Sequence, residues 1–170
     1  MDKAFNICEE MILQRNYVIL DKDDERILAQ KPNGQEMCVF LLNASKFNVE
    51  SIQEYITMMK KMNINHCIIV FKDNVTPKAK EIIEDCSDLK IELFHEQELR
   101  YNLTKHYLVP KHEIAFKNKT QECVEFKNKY SDKFPILLKN DPVSRFYDFQ
   151  KGDIIKITRK NGFITYRIVK

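Results

Sequence analysis

The sequence predicts an α/β domain on a mixed sheet, followed by a small α+β domain that ends in a β-hairpin. Three observations carry this reading. Strand-like and helix-like stretches alternate through the first part of the chain. Net charge then changes sign: residues 103–170 hold fifteen Lys or Arg against seven Asp or Glu, a net +8, whereas the preceding residues come to −5. Finally, Asn161-Gly162 separates two apolar runs near the end, a strong short-range hairpin signal. These place a domain boundary near Asn102, giving domains 1–102 and 103–170.

Lys3 to Arg15 carries Phe5, Cys8, Met11 and Ile12 at helical spacing. Tyr17 to Leu20 reads as a short strand and the acidic run Asp21 to Glu25 as a loop. Pro32-Asn33-Gly34 marks a turn between Arg26–Gln30 and Met37–Leu42, hence a hairpin. Val49, Ile52, Ile56 and Met59 define a helix with Asn48 as N-cap. Cys67 to Phe71 is a continuous apolar strand, as expected when both faces are covered. Thr76-Pro77 supplies a cap and an N1 proline for a helix through Ile82 and Ile83. Leu89 to Phe94 is the next strand, and Glu96 to Tyr101 a short helix. Strand–helix–strand–helix–strand implies parallel neighbours connected with right-handed crossovers.

Beyond Asn102 the proline makes Leu108-Val109-Pro110 extended. Thr120 caps a helix from Gln121 to Tyr130 that would bury Cys123, Val124 and Phe126. Asp141-Pro142 starts a second capped helix through Val143 to Tyr147. Lys151-Gly152-Asp153 is a turn. Ile154–Arg159 and Phe163–Val169 form the closing hairpin.

Composition excludes several chemistries. The three glycines, Gly34, Gly152 and Gly162, are too dispersed for a phosphate-cradling loop. The five cysteines, Cys8, Cys38, Cys67, Cys86 and Cys123, form no Cys-x-x-Cys pair and read as buried free thiols. His66, His95, His106 and His112 lie at no metal-ligand spacing. No cofactor or metal is expected. No apolar run is long enough for a bilayer, and Met-Asp-Lys-Ala-Phe lacks a signal-peptide core, so an intracellular protein without membrane contact is expected.

Two weaker signals remain. Asp88-Leu89-Lys90, with Glu84 and Asp85 upstream, could be a vestige of an acid-x-Lys nuclease centre, as could Glu125-Phe126-Lys127. Such triplets are frequent by chance in a chain rich in Lys and Glu. Lys78 and Lys80 stand in the first turn of a helix, where cations oppose the helix dipole unless phosphate or another anion is near. A basic C-terminal module also fits nucleic acid or an acidic protein surface.

Four blocks in the C-terminal region carry a family resemblance. They are Leu108-Val109-Pro110-Lys111-His112; Asp141-Pro142-Val143-Ser144-Arg145-Phe146; Lys151-Gly152-Asp153-Ile154-Ile155-Lys156-Ile157-Thr158-Arg159-Lys160; and Ile164-Thr165-Tyr166-Arg167. In this order they resemble the fifth-largest subunit shared by eukaryotic nuclear RNA polymerases, whose C-terminal domain has a small archaeal polymerase subunit as its counterpart. Asn16-Tyr17-Val18-Ile19 and the run from Ile69 to Pro77 resemble its N-terminal landmarks. The sequence departs from the family pattern in three places. It lacks a basic residue after Pro135, its final hairpin loop between Lys160 and Phe163 is shortened to the two residues Asn161-Gly162, and Lys78 and Lys80 stand where small residues are usual.

The resemblance implies a non-catalytic subunit of a multisubunit DNA-directed RNA polymerase. The N-terminal domain would be a restriction-endonuclease-like jaw beside downstream duplex DNA, lacking nuclease activity, with Thr76, Pro77, Lys78 and Lys80 as its DNA-proximal element. The C-terminal domain would dock on the largest subunit and aid assembly. Pro110, His112, Asp141, Pro142, Arg145, Arg159, Tyr166 and Arg167 are the expected interface residues. Obligate homo-oligomerisation is not expected. The protein would act in the nucleus of a cell, or at the cytoplasmic replication site and in the virion of a large DNA virus. The alternatives are a free-standing DNA-binding transcription regulator and a residual metal-dependent nuclease.

Overall fold

The computed structural model describes residues 2–42, 47–130 and 133–170. The chain divides into two compact units, Met1–Asn102 and Leu103–Lys170.

The first unit is a mixed five-stranded sheet in the order β1-β2-β3-β4-β5. Helix α1 (Asp2–Gln14) precedes β1 (Val18–Lys22), β2 (Arg26–Gln30) and β3 (Glu36–Leu42). These three strands run antiparallel. Helices α2 (Val49–Met62) and α3 (Pro77–Asp85) then carry the chain to β4 (His66–Phe71) and β5 (Lys90–His95). Both later strands pair parallel, as crossover helices require. The expected short helix after β5 is a 3-10 turn over Glu96–Leu99.

Side chains alternate across the strands, and each face acquires its own cover. Cys38, Phe40, Leu42, Cys67 and Ile69 pack with Ile52 and Met59 of α2 and Ala79 of α3. On the opposite side Val39, Leu41, Ile68 and Val70 are also buried, as are Phe5, Cys8, Met11 and Ile12 of α1. Burial on both faces explains the unbroken apolar runs of β3 and β4. It also pushes the Cys8 and Cys38 thiols up to about 12, so neither is a nucleophile at neutral pH.

The caps form where the sequence sets them. Asn48 Oδ1 accepts from Ser51 N at 3.0 Å. Thr76 Oγ1 accepts from Ala79 N at 3.3 Å, with Pro77 next to it at the first helical position. The acidic run is shorter as a loop than expected. Strand β1 continues through Asp21 and Lys22 because Lys22 Nζ pairs with Glu9 of α1 and Leu20 bulges out of the ladder. Asp23 Oδ1 then closes the turn by accepting from Glu25 N and Arg26 N.

The second unit is a four-stranded sheet in the order β6-β8-β9-β7. It comprises β6 (Lys111–Phe116), α4 (Gln121–Tyr130), β7 (Ile136–Leu137), α5 (Pro142–Tyr147), β8 (Ile154–Thr158) and β9 (Ile164–Val169). Helix α5 covers one face: Ile155, Ile157, Leu137 and Val169 pack with Phe149, Val143 and Tyr147. Helix α4 covers the other through Phe126, whose ring lies 4.7 Å from Phe116 and 5.1 Å from Tyr166. A bulge between Ile114 and Phe116 swaps the face of β6 and delivers Phe116 to α4.

Three expectations are corrected here. Leu108 is not extended: Val109 N donates to His106 O at 3.0 Å, so Tyr107-Leu108 forms a turn. The proline rule restricts only the residue directly before it. Val124 is half exposed, because Cys123 and Phe126 alone supply the apolar side of α4. The final hairpin is not a two-residue loop. Gly162 N donates to Arg159 O and Arg159 N to Phe163 O, both at 2.9 Å, and of the Asn-Gly pair only Gly162 has positive φ. This is a type I turn followed by a left-handed glycine. Pro32-Asn33-Gly34 repeats it, with Gly34 N bonding Lys31 O.

Candidate docking and nucleic-acid surfaces

Thr76, Pro77, Lys78 and Lys80 lie together at the start of α3. Pro77, Lys78 and Lys80 are exposed. The segment is anchored by Thr76 N donating to Phe47 O at 3.1 Å. Lys78 Nζ sits 3.5 Å from Glu81, a local partner that partly offsets its unfavourable place on the helix dipole. Among the described residues Lys80 has no such ion pair, so its ammonium faces solvent.

The expected interface residues divide between the two faces of the second sheet. Tyr166 opposes Lys156 and joins the Phe126 cluster on the α4 side. Arg167 opposes Ile155 and His112 opposes Ile157, both on the α5 side. Asp141 caps α5 by accepting from Val143 N at 2.8 Å, Pro142 is its first residue, and Arg145 lies in its last turn. Arg167 Nη1 donates to Ile136 O at 3.1 Å, so part of its guanidinium already ties β9 to β7. Arg159 is exposed beside the hairpin turn.

Pro110 and His112 are brought together more closely. Pro110 O lies 2.8 Å from His112 Nδ1, which therefore carries the proton and donates. Burial pulls the His112 pKa below its ordinary value and Arg167 adds to this, outweighing Pro110 O and Asp141. The ring is thus neutral at pH 7 and its Nε2 is an acceptor.

Both residues line a cavity of about 430 Å³. Its apolar lining is Val109 and Pro110 with Val143 and Tyr147 of α5. Lys105, Lys111 and Lys160 also line it, with the His106 and Tyr107 rings. Lys160 Nζ stands 5.3 Å from the Tyr107 ring centre, and Lys111 Nζ is 2.8 Å from Glu113. Residues from three of the four motif blocks meet here. Sequence reasoning missed Lys105, Tyr107, Tyr147 and Lys160. The i, i+4 spacing of Val143 and Tyr147 is visible in the sequence, but nothing in it marks the turn that carries Tyr107.

The third block is mainly internal. Asp153 is buried and accepts from Asn118 N at 2.9 Å and Gln150 N at 2.8 Å. Gly152 has φ +90, and a Cβ there would lie 2.4 Å from Asn118 Cγ.

The first unit contains a polar chain that the sequence did not disclose. Arg15 Nη1 and Nη2 donate to the two Glu92 oxygens at 2.7 and 3.0 Å. His66 Nε2 lies 2.7 Å from Glu92 Oε1, and His66 Nδ1 lies 3.2 Å from the Tyr17 hydroxyl. Burial would raise the Glu92 carboxyl, but Arg15 and His66 overcome it and hold it far below the usual range. The acid-x-Lys triplets do not assemble in this way. Asp88 is exposed before β5, Lys90 begins that strand, and Glu125-Phe126-Lys127 lies on α4.

Comparison with known proteins adds the identity of the scaffold. Residues 101–169, which include all four motif blocks, match the family described as RNA polymerase Rpb5, C-terminal domain. Protein 454R of Invertebrate iridescent virus 6, provisionally named a DNA-directed RNA polymerase subunit, is 31% identical over 99% of this chain and 98% of its own. The Dictyostelium discoideum subunit rpabc1 of DNA-directed RNA polymerases I, II and III is 36% identical over 76% of this chain and 70% of its own. The Caenorhabditis elegans RPABC1 subunit is 32% identical, over 80% and 67% respectively. The class is therefore a subunit of a multisubunit DNA-directed RNA polymerase. Within it, the chain belongs to the Rpb5/RPABC1 family. Among the described residues no helix is long and apolar enough to cross a membrane.

Proposed function

We propose that this subunit performs no chemistry and acts by docking: residues 103–170 attach it to the largest polymerase subunit, and residues 1–102 form a jaw beside downstream duplex DNA. The observation that carries the docking half is the meeting of three motif blocks at one basic cavity on the α5 side of the C-terminal sheet. The jaw half rests on the exposed Lys78 and Lys80 at an anchored helix start. Its restriction-endonuclease-like character is supported by the mixed sheet with helices interleaved along the chain. The acid-x-Lys elements are dispersed over exposed and helical positions, which favours a scaffold without cleavage activity. The site of action is the nucleus for a cellular protein, or the cytoplasmic replication site and virion for a viral one.

Capture of the tagged protein from its source cells tests the first half. Large polymerase subunits should come with it; a clean monomer with tight DNA affinity would instead make it a free regulator. For the second half, Lys78→Glu with Lys80→Glu should leave assembly intact and weaken downstream DNA retention. Removing two phosphate contacts should flatten the log–log salt dependence by roughly 1.8. An assembled double variant that holds DNA like wild type at low salt would make these lysines bystanders.

A further inference from the structure

We infer that the cavity beside α5 receives an acidic segment of another polymerase subunit, seating an apolar side chain between flanking carboxylates. This deepens the docking reading and rests on it. The cavity volume, about 430 Å³, lies within the range of ligand-holding pockets. Its wall is preformed, because Val143 and Tyr147 are packed on the core residues Ile155 and Ile157. An apolar anchor therefore has a rigid seat, which lowers the ordering cost of binding.

The charge pattern then specifies what flanks that anchor. Lys111 and Lys160 line the cavity and carry the charge argument; among the described residues no carboxylate is part of the lining. Lys111 does pair with Glu113, but both side chains are exposed, and such pairs contribute little and exchange readily. Lys160 lies over the Tyr107 ring, which leaves its ammonium accessible to a carboxylate from the partner. Complementary charge of this kind supplies steering and register.

His112 favours a peptide over a phosphodiester backbone. In the neutral ring the Nδ1 proton is committed to Pro110 O, so Nε2 accepts. A peptide offers donors in its N–H and hydroxyl groups, whereas a phosphodiester backbone offers none. The apolar wall likewise suits a buried side chain better than a hydrated backbone.

The test uses the full chain. A fluorescein-labelled peptide, Asp-Glu-Phe-Asp-Glu, is titrated beside its amide counterpart, Asn-Gln-Phe-Asn-Gln, and beside a labelled DNA duplex, with anisotropy as the readout. The acidic peptide should bind about tenfold more tightly than the amide, and Lys111→Glu with Lys160→Glu should abolish that advantage. Lys117→Glu with Lys129→Glu, matched in charge and outside the cavity lining, should preserve it. Equal binding of acid and amide, or equal loss in both double variants, overturns the inference. So does a cavity-specific loss seen for the duplex and not for the peptide, which would assign the lysines to nucleic acid. Tagged proteins are then captured from source cells. Reduced polymerase subunits on the cavity variant alone support the proposal. Equal recovery on wild type and cavity variant overturns the inference and leaves the docking reading standing. No polymerase subunits on wild type overturns the docking reading itself.

Discussion

Replacing Glu92 by Gln should destabilise the N-terminal unit by about 3 kcal/mol at pH 7. The reasoning starts from Arg15, whose side chain is 3% exposed and bonded to both carboxylate oxygens. Glutamine keeps the shape and one acceptor oxygen but removes the charge. The buried guanidinium then loses its ion pair with Glu92, and breaking a buried pair costs about 3–5 kcal/mol. The retained amide oxygen puts the expectation at the low end. Since whole domains are stable by about 5–15 kcal/mol, this is a large fraction. The assay is urea unfolding with hydrogen exchange read at the β4 and β5 amides, which isolates this unit. Arg15→Met with Glu92→Leu removes both charges and should cost far less, or nothing.

The pH dependence supplies a second reading of the same group. The Glu92 pKa is depressed in the folded state, from an ordinary value of 4.5. Its stabilisation is therefore fully present above that value and is lost as pH falls below it towards the folded-state pKa. The gap between wild type and Glu92→Gln should be constant from neutral pH to about 5 and narrow progressively below that. A Glu92→Gln protein within about 0.5 kcal/mol of wild type at pH 7 would refute the buried-pair argument, since that is the size of an ordinary surface change.

Gly152→Ala should cost about 1–3 kcal/mol, because it combines a left-handed φ with a Cβ clash against the Asn118 side chain. Gly34→Ala has the same φ problem but open space around it, so its urea midpoint should fall less. Thr76→Ala should cost about 1 kcal/mol by removing the α3 cap, read as faster hydrogen exchange in its first turn. In native protein, alkylation with iodoacetamide and peptide mapping should find Cys86 modified before the buried Cys8, Cys38, Cys67 and Cys123.

Local signals were legible and long-range ones were not. Thr76-Pro77 and Asp141-Pro142 announce helix starts because a cap and an N1 proline act within four residues, and both form. Strand β6 escaped notice because its exposed Lys111, Glu113 and Ile114 give an edge strand no clean apolar run. Strand β7 is only Ile136–Leu137, held parallel to β9 by a partner far along the chain. The Arg15–Glu92 pair spans 77 positions and leaves no local trace. The bulges in β1 and β6 redirect side chains without any glycine or proline to mark them. The cavity was half visible: its motif residues stood out, but the turn at Tyr107-Leu108 that completes it depends on how His106 and Val109 bond.

These placements change what the motif blocks mean. A block that identifies a family need not be a block that touches its partner. Gly152 and Asp153 sit inside the third block, yet one is required by Asn118 and the other holds two backbone N–H groups in a buried site. Asp141 and Pro142 likewise start a helix. Lys160 closes the same third block, but it is exposed and reaches the cavity. Loss of polymerase assembly after changing Gly152 or Asp153 would therefore follow from misfolding alone and carry no information about contact. Loss after changing Lys160 or Lys111, with the unfolding transition unchanged, can arise only at a surface. Within each block, burial separates the residues that build the C-terminal unit from those that stand at its surface, where the proposed docking contact would have to be made.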